Sequence, residues 1–187
     1  MNPTIKSILS RRSKRAYKKD QVSDADLDTI LQAGLHAATA RNLQPWHFTV
    51  IQNQQVIRKI DEAAKKTIRQ SNDTSYLSRV DDPGFTLFFH APTVIIVSGD
   101  TKAPYAMTDC ANATQNICVA AHSLGLGSCY IASFIRAFQD TDTAISLKKE
   151  LGIPDTHTPR FAVSLGYTDG DMPEIKIRRQ DVINHIR

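Results

Sequence analysis

The run TVIIVSG at Thr93 to Gly99 constrains this chain more than any other stretch. Val94 to Val97 places four β-branched apolar residues in a row, the pattern of a strand covered on both faces, whereas a half-solvated strand alternates. Such a strand needs an apolar layer above and another below, so the rest of the chain must supply amphipathic helices for two faces.

It does. SDADLDTILQAGLHAA opens on Ser23 with an acid three residues on, a capping-box variant, and sets Leu27, Ile30, Leu31, Gly34, Ala37 and Ala38 on one stripe. YAMTDCANATQNICVAAHSLGLG repeats small or apolar residues at helical spacing from Ala106 to Leu124 and is stopped by Gly125 and Gly127. Gln54 to Gln70 reads as a third helix, and Asp142 or Thr143 caps a fourth that ends at Gly152. Asn2 and Pro3 start a short helix that buries Ile5, Ile8 and Leu9. HFTVIQ (His47 to Gln52), SCYIA (Ser128 to Ala132) and RFAVSLGY (Arg160 to Tyr167) read as further strands, and Ser71 to Gly84 as a polar loop. Residues 1–187 fit a single domain, with Met172 to Arg187 as an extended arm that needs a surface to pack on.

Charge is concentrated at one place. SRRSKRAYKK gives six cations between Arg11 and Lys19. The formal charge is only +4, so the rest of the chain is slightly acidic. A protein that tracks a nucleic-acid backbone spreads cations along a face, because affinity accumulates phosphate by phosphate; a local spot suits one small anionic group or a solvated helix end. Three cysteines (Cys110, Cys118, Cys129) form no disulfide framework, Met1 to Arg12 lacks a signal-peptide stretch, and no apolar run reaches membrane length. A cytoplasmic home without membrane or nucleic-acid partners is the expectation. The six histidines never pair at metal-ligand spacing and CxxC and HExxH are absent, so no metal site is expected. GLGS at Gly125 to Ser128 closes a helix and enters a strand, the reverse of a dinucleotide turn.

ATARNLQPWHF, Ala38 to Phe48, lies between a helix end and a strand, so its backbone groups are free to face a ligand. Asn42 and Gln44 bring amides, Pro45 stiffens the turn, and Trp46 is either an apolar plate for a ligand or an ordinary buried anchor. Amides beside a stiff turn, with a separate cation spot, suit a ligand that is polar at one end, flat in the middle and phosphorylated at the other. FMN has that form.

RRSKRAY, ATARNLQPWHF, HAPTVIIVSGD, AAHSLGLGSCYIA and IPDTHTPRFAVSLGY followed by K-x-R occur in this order along nearly the whole chain. The set resembles the FMN-dependent nitroreductase family. The resemblance implies an α+β fold with a central mixed β-sheet flanked by helices, assembled as an intertwined homodimer with exchanged carboxyl-terminal arms. It implies FMN as cofactor, NAD(P)H as reductant and a small-molecule electron acceptor such as a nitroaromatic or a quinone, in ping-pong hydride transfer through flavin N5. Carried onto this sequence, Arg11, Arg12, Ser13 and Arg15 hold the FMN phosphate and ribityl end, joined by Lys176 and Arg178. Ala38, Thr39, Ala40, Asn42 and Gln44 of the other subunit border the ring, and Ala132 and Ser133 approach N5. Lys14, Lys18 and Lys19 are left as solvated charges. The chain has Ala40 and Arg41 where many relatives carry Ser or Thr, and Ala-Ser where larger enzymes carry Glu-Gly. No side-chain acid or base is nominated, since the flavin carries the chemistry. Phe85, Phe88 and Phe89 either wall an acceptor pocket or are plain core. A non-catalytic flavin-binding sensor would keep the same cofactor residues.

Overall fold

The computed structural model describes residues 1–71 and 74–187, with backbone only at positions 74 and 75. Helices α1 (Pro3–Ser10), α2 (Asp24–Leu35), α3 (Gln54–Arg69), α4 (Thr74–Val80), α5 (Ala106–Ser123) and α6 (Thr141–Glu150) surround strands β1 (Trp46–Ile51), β2 (Thr93–Asp100), β3 (Leu126–Ile131) and β4 (His157–Tyr167). The sheet order is β1-β2-β4-β3. Every pairing between these strands is antiparallel, which corrects the expected mixed sheet. The single parallel contact among the described residues is an isolated bridge between Ser13 and Ser128.

The β-branched run occupies the centre of the sheet and divides its side chains between two cores. Val94 and Ile96 face one cluster with Ile57, Ile60, Ile68 and Phe134; Ile95 and Val97 face the other with Ile30, Cys110, Ala113 and Ile117. All four are fully buried. α5 lies close on the second face because its buried side chains are small, and Gly34 lets α2 approach so near that a Cβ there would meet Ile117 at 2.9 Å. Ser23 caps α2, its hydroxyl accepting the Asp26 N–H at 3.2 Å. Gly125 ends α5 at φ 81, as its sequence position implies, but Gly127 belongs to β3.

Three further expectations change. Asp140 caps α6, accepting the Thr143 N–H at 2.9 Å, which leaves Asp142 inside the first turn. The stretch from Ser71 to Gly84 contains α4, organised by Val80, Tyr76 and Leu77 packing on the core rather than by any local period; positions 72 and 73 of that expected loop lie outside the described residues. α1 buries none of its residues within the chain, and Ile5, Ile8 and Leu9 are 47%, 48% and 57% exposed. The segment 169–187 is exposed throughout and forms no strand. No helix of the described residues is long and apolar enough to cross a membrane.

A strap running from Ser13 to Lys18 crosses the ends of β3 and β4. Lys14 N–H donates to Ser128 O at 2.9 Å, Lys18 N–H to Tyr167 O at 3.0 Å, and Asp169 N–H to Ala16 O at 3.1 Å. Two glycines make room for it: a Cβ at Gly127 would meet Lys14 Cγ at 2.9 Å, and one at Gly166 would meet Pro92 Cδ at 2.8 Å and Tyr17 Cδ1 at 3.2 Å. Gly166→Ala is expected to destabilise the protein by about 1–3 kcal/mol, because the pyrrolidine ring it would strike has little freedom to move. A lowered urea midpoint at constant m-value would show this.

Candidate functional site

The strap disposes its cations in different ways. Arg12 turns inward, its Nη1 donating to Leu9 O at 2.8 Å and Arg11 O at 2.6 Å, where it neutralises the carboxyl end of α1. Lys14 corrects the expectation of a solvated charge: it is 3% exposed, and its Nζ donates to Gly170 O at 2.8 Å and Asp171 O at 2.7 Å. Lys18 and Lys19 are exposed. Arg11, Ser13 and Arg15 remain turned toward a small cavity of about 200 Å³, and Lys176 and Arg178 line the same cavity from the other end of the chain. Arg11, which lines it, has its Nη1 buried without a hydrogen-bond partner among the described residues. A buried, unpaired guanidinium nitrogen is costly unless an anion takes it. Burial, with the charges of Arg11 and Arg12, holds His122 below the ordinary histidine range, and its Nε2 meets Ser10 Oγ at 2.8 Å.

Arg15 is shared with a second, larger cavity of about 460 Å³. One side of it is the end of β3, from Cys129 to Ile131, continuing into Ala132 and Ser133 at the start of the 3₁₀ turn Ser133–Phe138. The opposite side is aromatic, with Tyr76, Phe85 and Phe89. Phe88, considered with them, is fully buried against Phe134 and is plain core. The guanidinium of Arg15 lies 5.6 Å from the Phe89 centroid and that of Arg79 lies 4.7 Å from the Phe85 centroid. Arg79 was not singled out by the sequence, since it stood in a presumed loop.

The wall that carries Phe85 is pinned to α3. Asp61 Oδ1 accepts the Leu87 N–H at 2.7 Å, and Asp61 Oδ2 pairs with Lys65 Nζ at 2.9 Å, both groups buried. Burial works against the Lys65 ammonium, but its bond to Asp61 and the charges of Asp61 and Glu62 outweigh this and hold its pKa above the usual lysine value.

The Ala38–Gln44 loop borders neither cavity within one chain. Asp109, a buried carboxylate of α5 that sequence reading passed over, organises it: Thr39 Oγ1 donates to Asp109 Oδ2 at 3.1 Å and the Ala40 N–H to both carboxylate oxygens at 3.2 and 3.3 Å. Asn112 Nδ2 donates to Ala38 O at 3.2 Å, and Gln44 Nε2 to Asn42 Oδ1 at 3.1 Å. These bonds support positive φ at Arg41, Asn42 and Gln44, which costs a non-glycine residue about 1–3 kcal/mol. Trp46 is buried beside Phe48, 6.2 Å between centroids, and serves as a core anchor. Thiolate chemistry finds no support: burial pushes the Cys110 thiol up to about 12 and the Cys118 thiol to about 11.

The smaller cavity, lined by four arginines and Lys176 with Glu174 as its one acid, thus shares Arg15 with an aromatic-walled cavity. The chain belongs to the nitroreductase family, whose sequence model matches residues 8–167. An Archaeoglobus fulgidus protein provisionally named NADH dehydrogenase/NAD(P)H nitroreductase is 35% identical over 172 residues, covering 89% of this chain and 86% of the relative. The NADPH-flavin oxidoreductase of Vibrio harveyi is 28% identical over 186 residues, covering 95% and 70%. Among solved structures, a nitroreductase with bound FMN from Bacteroides fragilis superposes with a TM-score of 0.93 at 32% identity, covering 100% of both chains.

Asp109→Ala is expected to lower stability by about 1–3 kcal/mol, the penalty for stranding the Thr39 and Ala40 donors. It should also expose the 38–44 loop to protease. Asp109→Asn, which keeps an acceptor oxygen, should recover part of both effects in the same unfolding and proteolysis assays.

Proposed function

We propose that this chain, an NAD(P)H-dependent FMN oxidoreductase, reduces nitroaromatics, quinones or related small acceptors in a ping-pong cycle carried out by a homodimer. The observation that carries the reading is the pairing of the two cavities through Arg15, with the smaller one lined by Arg11, whose Nη1 is buried and unpartnered among the described residues. An FMN phosphate fits that donor set: Arg11, Arg15 and Arg178 offer forked N–H groups, Ser13 a hydroxyl and Lys176 a point charge. Arg12, already spent on carbonyls, acts there through its charge and backbone. Ala132 and Ser133 line the larger cavity and would offer backbone N–H groups to the ring. FMN bound there would supply two-electron redox chemistry between NAD(P)H and the acceptor that follows it into the site.

The protein's part is to bind, orient and screen. Cations at the phosphate and donors at the ring favour a negatively charged reduced cofactor. Tyr76 and Phe89 exclude water from the acceptor side. The homodimer explains two otherwise idle features. Ala38, Thr39, Ala40, Asn42 and Gln44, held by Asp109, border the partner's ring, and the exposed α1 face and arm gain surfaces to cover them. On this reading residues 1–187 form one domain, with 172–187 as the exchanged arm.

Arg11→Ala should weaken FMN binding by about 1.5–3 kcal/mol, the range for a charge-assisted hydrogen bond, while Lys18→Ala should leave it nearly intact. Flavin fluorescence titration separates the two, and equal losses would mean that the cluster acts as diffuse charge. Anaerobic NADH or NADPH should bleach the bound flavin and a quinone restore it; a bound flavin that resists both nicotinamides would make the protein a non-catalytic flavin binder. A chain ending at Asp171 keeps the Lys14 partners but discards Lys176, Arg178 and the arm, so dimerisation and FMN should be lost together. Light scattering beside flavin content tests this, and a truncated monomer with full flavin would overturn the interface.

A further inference from the structure

We propose that the acceptor is a planar aromatic or quinonoid acid, and that Arg79, held over the Phe85 ring, binds its carboxylate. The inference rests on the oxidoreductase reading and narrows the substrate class of the same site.

The larger cavity is lined by two arginines and by no carboxylate. Arg15 reaches the smaller cavity as well and, on the reading above, would serve the cofactor tail, which leaves Arg79 as the cation of the acceptor side. A guanidinium attracted to an aromatic ring still has N–H groups to offer a fork-shaped partner. Among the described residues no carboxylate pairs with those of Arg79, although other cations of the same wall are committed: Lys65 to Asp61 and Glu62, Arg69 to Asp81 at 3.2 Å. Asp82 is the one acid at the adjoining cavity of about 330 Å³, and its Oδ1 accepts the Gly84 N–H at 2.8 Å.

The platform is rigid before any ligand arrives. Phe85 N–H donates to Asp82 O at 3.0 Å, and the buried Asp61–Lys65 pair fixes the Leu87 backbone two residues on. A charge presented on a fixed ring loses little freedom on binding, so its contribution goes into selectivity. Aromatic side chains supply the flat walls and Arg79 a charged contact away from the smaller cavity, a combination that selects a flat anion over its neutral analogue. The overall conversion balances as NAD(P)H plus H⁺ plus quinone giving NAD(P)⁺ plus hydroquinone, and the carboxylate takes no part in it.

The reductant is itself an anion, so the two half-reactions are measured apart. FMN-loaded protein and its Arg79→Gln and Arg79→Lys variants are reduced anaerobically by NADH or NADPH in a stopped-flow instrument. They are then reoxidised by a neutral naphthoquinone or by the same ring bearing a carboxylate. The preference for the carboxylated over the neutral quinone, taken as the ratio of second-order rate constants, is expected to fall about 10-fold or more in Arg79→Gln, the scale of a charged hydrogen bond. Arg79→Lys, which keeps the charge without the fork, should recover part of it. Benzoate, which cannot be reduced, should perturb the visible spectrum of the oxidised wild-type flavin, with an affinity that falls by a similar factor in Arg79→Gln. Equal losses for both quinones, no preference in the wild type, or a loss confined to reduction by NAD(P)H would overturn the proposal while leaving the enzyme class standing. A flavin that neither nicotinamide bleaches would instead overturn the oxidoreductase reading, and this one with it.

Discussion

A single buried ammonium governs how this molecule is joined. Lys14 is held out of water with two backbone carbonyls, Gly170 O and Asp171 O, as its Nζ partners, and its stem fills the space left by the missing side chain at Gly127. Desolvating an ammonium costs several kcal/mol, and carbonyl dipoles offset this only when held in place, here by the bridge from Ser13 to Ser128 and the hydrogen bonds around Tyr167. Arg11 and Ser13, next to Lys14 in sequence, line the smaller cavity, and the chain that continues from Asp171 brings Lys176 and Arg178 to it.

One basic run therefore does four kinds of physical work. Arg12 neutralises a helix end, Lys14 joins two distant segments, Lys18 and Lys19 are solvated, and Arg11 and Arg15 are left facing cavities. Such division is possible because the run is extended rather than helical. Successive side chains point to opposite sides, so neighbours in sequence meet different environments. A helix would have gathered the same charges on adjoining turns, where they repel.

What the sequence revealed and what it hid follow the range of the interactions. Val94 to Val97, the Ser23 cap and the small-residue stripe of α5 are local patterns, and each appears where its spacing places it. So was the concentration of cations near the amino terminus, with a second basic pair near the other end. The burial of Lys14 was not legible, because its partners lie 156 and 157 positions away. Asp109 escaped for the same reason: it serves a loop some 70 positions earlier, and nothing around it in sequence distinguishes it from an exposed helical acid. α4 escaped because Val80 and Tyr76 find their contacts on α3 and the core, so tertiary packing overrode a polar, loop-like composition. The strand directions belong to topology, which residue patterning within one strand does not encode.

Closing a hollow with two segments far apart in sequence has a consequence for the order of its assembly. Lys14 and its carbonyl partners are separated by 156 and 157 positions. The strap and the segment after Asp169 meet only across strands that are already paired, so a chain collapsed around β2 alone has the cations but not the hollow. Formation of the hollow is thereby a late event of folding, and it reports on the finished sheet rather than on any one element.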